Sequence, residues 1–234
     1  MSTPRSLEPR LVSITQPRSS AAEQYRSLRT SLEFLGVSQP LHKVLVTSAF
    51  PESGKSLTAA NLALALAQSG RSTLLVDADL RRPSQHHLFG LANLTGLTSA
   101  VTRGGDLDQY LAPGPLADLR IMTSGPIPPN PSEILGSMAM RELLERLEHE
   151  ADIVVLDSPP VVGFTDAVIL SNRNDGVIYV VRSGFNSRKA DLKAIDLLRQ
   201  VEARILGVVL NGMKQPDESL SYAYYYSRRP AGSS

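Results

Sequence analysis

Residues 43–56 read Lys-Val-Leu-Val-Thr-Ser-Ala-Phe-Pro-Glu-Ser-Gly-Lys-Ser, and this stretch decides the fold. A short β-branched run, KVLVTS at 43–48, feeds a loop that opens on the Ala/Leu-rich stretch Ser56–Ser69, closed by Gly70. From Ala49 to Ser56 the chain fits a phosphate-binding loop, with Ala49 standing where the literal motif has its first glycine. Such a loop wraps consecutive backbone N–H groups round a polyphosphate at a helix N-terminus. It also needs an ammonium on the outer phosphates and a hydroxyl on Mg²⁺, and Lys55 and Ser56 supply these types in the right order. Pro51, Glu52, Ser53, Gly54, Lys55, Ser56 and Leu57 are therefore the candidate nucleotide-binding residues.

Outward from the loop, strands and helices alternate. STLLVDAD (72–79), LRIMTSG (119–125), DIVVLDSPP (152–160), DGVIYVVRS (175–183) and RILGVVLNG (204–212) are further apolar runs. The pattern predicts a helix from Asn130, capped by its side chain with Pro131 in the first turn and Glu133 at the third position, running to about Glu150. A second, from Ser187 to Ala203, sets Leu192, Ile195, Leu198 and Val201 on one face. Apolar strands that do not alternate, separated by helices, imply an α/β fold: a mostly parallel twisted sheet with helices on both faces. Ligands of such sheets bind at the carboxyl ends of the strands.

Two of those ends carry carboxylates. The second strand ends in Asp77-Ala78-Asp79-Leu80-Arg81, and in an extended segment residues two apart point the same way. Asp77, Asp79 and Arg81 are thus expected to project into one crevice, where carboxylates hold Mg²⁺ or accept a hydroxyl proton. Asp157 follows Ile153-Val154-Val155-Leu156, a metal-binding carboxylate after an apolar strand. Three such features on three strand ends point to a nucleotide-binding P-loop NTPase. No Asn-Lys-x-Asp base-reading motif and no Gly-x-Ser-x-Gly elbow occur, which argues against a GTPase and an esterase. His86 and His87 are adjacent on a predicted helix, so their rings are expected to diverge, and they are not read as a metal site.

The flanks differ in composition. Residues 1–20, rich in Ser, Pro and Arg, read as an extended arm. Residues 21–35 read as an amphipathic helix with Tyr25, Leu28, Leu32 and Leu35 at helical spacing, Glu23, Arg26 and Arg29 on a polar side, and Gly36 and Pro40 ending it. Residues 36–213 form the α/β domain, and residues 214–234 read as a mobile tail. With 234 residues, 42% apolar and 20% charged, the chain is one generous globular domain. Cysteine is absent, which removes disulfides, thiol nucleophiles and thiolate metal sites. Formal charge is +1 from 24 basic and 23 acidic residues, which argues against nucleic acid as a partner. No apolar run approaches the roughly 18 residues of a spanning helix, and the chain reads as soluble and cytoplasmic.

These residues resemble the bacterial tyrosine kinases of capsule and exopolysaccharide export, from about Glu23 to the tail. The resemblance rests on the loop at 49–56, Leu74-Leu75-Val76-Asp77-Ala78-Asp79-Leu80-Arg81 continuing into Arg82-Pro83, and Asp157-Ser158-Pro159-Pro160. Gly96-Leu97 and Gly125-x-x-Pro-Pro-Asn-Pro-Ser-Glu at 125–133 add to it. Family loops often read Pro-Gly-Glu-Gly-Lys, whereas Glu52 and Ser53 precede Gly54 here.

The resemblance implies an ATP-dependent protein-tyrosine autokinase with Lys55, Asp77, Asp79 and Asp157 as its catalytic group. Lys55 would clamp the outer phosphates, Ser56, Asp79 and Asp157 would hold Mg²⁺, and Asp77 would orient or deprotonate the incoming tyrosine hydroxyl. Glu23-x-x-Arg26-x-x-Arg29 matches an element that packs between subunits of a ring-shaped homo-oligomer; read without the family, it is a solvated helix face. Tyr222, Tyr224, Tyr225 and Tyr226 would be phosphoacceptors presented to a neighbouring subunit. A membrane-anchored polysaccharide chain-length regulator as activator, a protein-tyrosine phosphatase as opponent, and a place at the inner face of the cell membrane follow from the same resemblance. Two alternatives stand beside it: a ParA/MinD-like ATPase switch, whose loops carry a second lysine where this chain has Phe50, and a non-catalytic nucleotide-binding regulator.

Overall fold

The computed structural model describes residues 8–185 and 187–213. The tyrosine cluster at 222–226 lies outside the described residues. Seven strands, β1 (Lys43–Ser48), β2 (Thr73–Asp77), β3 (Ala112–Pro113), β4 (Leu119–Met122), β5 (Ile153–Asp157), β6 (Gly176–Arg182) and β7 (Ile205–Asn211), form one sheet in the order β3-β4-β2-β5-β1-β6-β7. Every pairing is parallel except the short antiparallel β3–β4 contact.

The apolar strands sort their side chains by the pleat. Val44 and Val46 enter one core with Leu75, Val155 and Ile178, while Leu45 enters the other with Leu74, Val76, Val154, Leu156 and Tyr179. The first core is covered by α1 (Val12–Thr15), α2 (Ser20–Ser38), α3 (Lys55–Ala67) and α4 (Gln85–Leu88). The second is covered by α5 (Leu97–Arg103), α6 (Pro131–Gly136), α7 (Met138–Glu150), α8 (Asp166–Ser171) and α9 (Arg188–Gln200). Both faces of β1, β2 and β5 are buried, which is why those runs are continuously apolar.

Three local expectations are corrected. Residues 8–20 are not an extended arm: Leu11 and Ser13 are buried, and α1 packs on α3. The backbone N–H of Ser13 donates to Oδ1 of the buried Asn61 at 3.0 Å, and Asn61 Nδ2 donates to the carbonyl of Arg10 at 3.1 Å. The expected helix from Asn130 to Glu150 is two helices. Asn130 makes no side-chain cap, its Nδ2 donating to Glu133 instead, and the chain turns extended at Ser137, whose Oγ then accepts the N–H of Met140 and caps α7. Gly36 does not end α2, which runs to Ser38 and stops before Pro40.

The stripe of α2 is laid as expected, with Leu32 buried and Tyr25, Leu28 and Leu35 half-buried. Among the described residues no helix is long and apolar enough to cross a membrane.

Candidate functional site

The carboxyl ends of β1, β2 and β5 lie side by side, because β5 pairs with β1 on one edge and β2 on the other. The phosphate loop leaves β1 at Ser48 and enters α3 at Lys55. Its backbone is shaped by two residues in the left-handed region, Glu52 at φ +61° and Gly54 at φ +91°. Gly54 is required for a second reason: a Cβ there would lie 1.8 Å from Nδ2 of Asn211. Asn211 closes β7 and donates to the carbonyl of Ser53 at 3.1 Å, while Arg182 at the end of β6 donates to the carbonyl of Glu52 at 2.9 Å. The loop is thus held from the neighbouring strand ends. Pro51 and Glu52 are exposed, so the Glu52 carboxylate lies in solvent; Ser53 is buried with its Oγ on the carbonyl of Phe50, and Leu57 packs onto the core.

Lys55 is almost fully buried. Its ammonium lies 2.7 Å from Oδ2 of Asp79, 3.1 Å from Oγ of Ser56 and 3.7 Å from Oδ1 of Asp157. Burial disfavours this charge, but the carboxylates of Asp157, Asp79 and Asp77 outweigh it, and the Lys55 pKa sits above the ordinary lysine value. Asp157, fully buried, is raised by that burial; the Lys55 charge opposes the rise and the Asp79 charge adds to it. Asp77 is pushed well above the ordinary range by burial and by the Asp157 charge, although its carboxylate accepts N–H groups of Asp79, Ser84 and Gln85.

The four expected catalytic side chains therefore converge, but not all in the way the strand pattern suggests. β2 ends at Asp77, and the alternation rule ends with it. Asp79 sits in the following turn, its Oδ1 accepting the N–H of Arg82 and its Oδ2 the Lys55 ammonium. Arg81 does not join the crevice. Its guanidinium makes a bidentate pair with the buried Asp166 at the start of α8, at 2.7 and 3.0 Å, reaches Ser132 at 3.0 Å and stacks on Phe164 at 4.0 Å. The rings of His86 and His87 do not diverge either: their centroids are 3.9 Å apart. Sequence reasoning missed Asn211, Arg182, Asp166 and Gln85, whose side-chain amide donates to Oδ2 of Asp157 at 2.8 Å.

The charged residues of α2 have partners both within the helix and outside it. Glu23 pairs with Arg26, which also donates to the carbonyl of Pro17 at 3.0 Å. Arg29 leans onto α3, donating to the carbonyl of Ala65 at 3.3 Å.

The residues present fit a nucleotide with Mg²⁺. Oδ1 of Asp157 is buried with no hydrogen-bond partner, beside a serine hydroxyl and a second carboxylate, an oxygen-only set suited to a hard cation. Among the described residues no three acidic or imidazole side chains form a protein cage for a metal. Mg²⁺ is commonly held by one or two carboxylates together with phosphates and water.

Fold and site together define a ParA-type P-loop NTPase. The family described as "ParA: NUBPL iron-transfer P-loop NTPase" matches residues 40–224. Within that fold class, the chain belongs to the bacterial tyrosine-protein kinases. It is 41% identical to the tyrosine-protein kinase YwqD of Bacillus subtilis (strain 168), over 92% of this chain and 90% of that one. It is 33% identical to the putative tyrosine-protein kinase CapB of Staphylococcus aureus, over 90% and 92% of the two chains. The crystal structure of the chimerical protein CapA2B2 superposes with a TM-score of 0.85 at 38% identity, covering 89% of this chain and 92% of the other.

Proposed function

We propose that this chain is an ATP-dependent protein-tyrosine autokinase of capsule or exopolysaccharide regulation, whose phosphoacceptors are Tyr222, Tyr224, Tyr225 and Tyr226 of a neighbouring copy. The observation that carries the reading is the Lys55 ammonium, 2.7 Å from Asp79 and 3.7 Å from Asp157 at the mouth of the loop. In this reading the ammonium exchanges its carboxylate partner for the outer phosphate oxygens, and the loop N–H groups hold the remainder. Ser56, Asp79 and Asp157 would hold Mg²⁺, which would supply charge neutralisation on the phosphates when bound. Asp77 orients the tyrosine hydroxyl and, in its carboxylate form, takes its proton as the new O–P bond forms and the bond to the leaving nucleoside diphosphate breaks. The work of the protein is positioning and charge balance.

A ring-like homo-oligomer using Glu23, Arg26 and Arg29, a membrane-anchored chain-length regulator as activator, an opposing protein-tyrosine phosphatase and a cytoplasmic place beneath the membrane belong to the same proposal. The direct test mixes two chains with MgATP: one truncated after Met213, the other full length with Lys55→Ala. Phosphotyrosine on the full-length inactive chain is expected, and none when that chain is incubated alone. ATP hydrolysis without phosphotyrosine, with activator tails added, would overturn the kinase reading in favour of an ATPase switch.

A further inference from the structure

Gln85 opens α4 and is completely buried, a position where a polar side chain must be matched by partners. Its Nε2 donates twice, to Oδ2 of Asp157 at 2.8 Å and to the carbonyl of Ser56 at 3.0 Å. Its backbone N–H donates to Oδ2 of Asp77 at 2.9 Å. One residue therefore ties together the first turn of α3, the end of β2 and the end of β5. Both side-chain contacts are acceptors, so the amide can be placed only one way round: a flipped amide would set its carbonyl against a carboxylate and a peptide oxygen. Oε1 is left buried with no partner. Leaving that oxygen unpaired costs free energy, and the site tolerates the cost to keep the –NH₂ where it is.

The consequence falls on Asp157. With Oδ2 fixed by Gln85, the rotamer of the carboxylate is set, and Oδ1 is turned to the Lys55 and Ser56 side of the site, where it has no hydrogen-bond partner. We propose that Gln85 is a positioning residue for the magnesium–nucleotide site, holding Asp157 by Oδ2 so that Oδ1, 3.7 Å from the Lys55 ammonium, is turned toward the metal. The inference rests on the reading of Ser56, Asp79 and Asp157 as the metal-holding group. An amide suits the task better than a second carboxylate, which would set two like charges at hydrogen-bond distance, and better than an apolar side chain, which would leave Oδ2 unpaired as well. Partners of this kind, one step behind a metal-holding group, typically change metal affinity by about 10–100-fold.

The test follows a fluorescent ADP analogue bound to the full chain, first in EDTA and then across a Mg²⁺ titration. Gln85→Met removes the donor at nearly constant shape, and Gln85→Glu replaces it with a charge; thermal unfolding checks both. The expected result for Gln85→Met is a half-saturating Mg²⁺ concentration raised roughly 10-fold or more, with metal-free affinity within about twofold of wild type. Gln85→Glu is expected to raise it further. A purely structural anchor would weaken metal-free and metal-assisted binding alike and leave the Mg²⁺ requirement unchanged, whatever either variant does to the melting temperature. The proposal is overturned by that pattern, by an unchanged Mg²⁺ requirement in Gln85→Met, or by failure of both variants to fold. Wild-type protein whose ADP binding ignores Mg²⁺ would instead remove the metal-site reading itself, and this inference with it.

Discussion

Asp77 and Asp157 are the last registered pair of the β2–β5 ladder, and both carboxylates are fully buried. Neighbouring strands lie about 4.8 Å apart, so two acids share the strand tips with a single ammonium, that of Lys55, close by. Burial raises both pKa values, and the Asp157 charge raises Asp77 further. A folded-state pKa above the unfolded one means that the folded chain holds its proton more tightly. The resulting stability is complete below the ordinary aspartate value of 3.8 and is lost as pH rises through the raised values. The nucleotide-free protein is therefore expected to melt at progressively lower temperature as pH climbs above the ordinary aspartate value. Asp77→Asn should flatten that slope. A variant with the same or a steeper slope in thermal melts across pH would contradict the assignment.

Removing Lys55 has a structural cost besides its chemical one. Lys55→Ala leaves Asp79 and Asp157 buried without their counter-charge, and breaking a buried pair on one side typically costs about 3–5 kcal/mol. The variant is expected to lose phosphotyrosine formation entirely and to unfold at lower urea concentration. Adding Asp79→Asn should return part of the lost stability and none of the activity. If Lys55→Ala unfolds at the wild-type midpoint, the ammonium is not the keystone of this charge cluster.

The strands were legible because burial on both faces forces continuous apolar runs; β1 is found at Lys43–Ser48, as KVLVTS suggests, and β2, β5, β6 and β7 shift by only one to three residues at their ends. The loop and the four charged residues were legible for the same reason, since the loop that ends in Lys55 follows β1, Asp77 and Asp157 end β2 and β5, and Asp79 comes just after β2. What escaped the sequence is long-range. Arg81 and Asp166 are 85 positions apart, and nothing near either residue names the other. Gln85 sits in RPSQHH, where no local pattern marks an amide aimed at Asp157. The two-residue strand β3 is too short to show a period. The packing of Leu11 and Ser13 hides in a Ser/Pro/Arg-rich stretch, because the partner that secures it is a buried asparagine inside α3. The division between α6 and α7 did have a signal, Gly136 followed by Ser137 three residues before Met140, which outweighs the apolar spacing that runs through it.

Gly54 carries two separable constraints. Its φ of +91° costs an alanine on the order of 1 kcal/mol or more, and an added Cβ would collide with Nδ2 of Asn211. Gly54→Ala is expected to weaken nucleotide binding by at least about 10-fold, the equivalent of roughly 1.4 kcal/mol. Asn211→Ala alone loses one hydrogen bond to Ser53 and should weaken binding only a fewfold. In the double variant the collision is gone and the backbone strain stays, so binding should recover in part. Full recovery would show that strain at φ +91° counts for nothing, and no recovery would show that Asn211 does not crowd the loop; a nucleotide titration of the three variants decides.

Arg81 holds the segment after β5 rather than the phosphates. Its two parallel hydrogen bonds end on Asp166, which has no exposed surface and is otherwise met by the Ser132 hydroxyl at 2.6 Å. The contact joins the turn after β2 to the starts of α6 and α8, three segments that border the site from one side. Arg81→Ala strands the Asp166 charge and should cost about 3 kcal/mol. Arg81→Lys keeps the charge but not the planar fork, and should cost about half as much. Asp166→Asn in the Arg81→Ala background removes the stranded charge, so the two losses should fall well short of adding. A double-mutant cycle by urea unfolding measures that coupling. Additive losses would mean that Arg81 and Asp166 act independently, and the bidentate pair would then not be what fixes this side of the site.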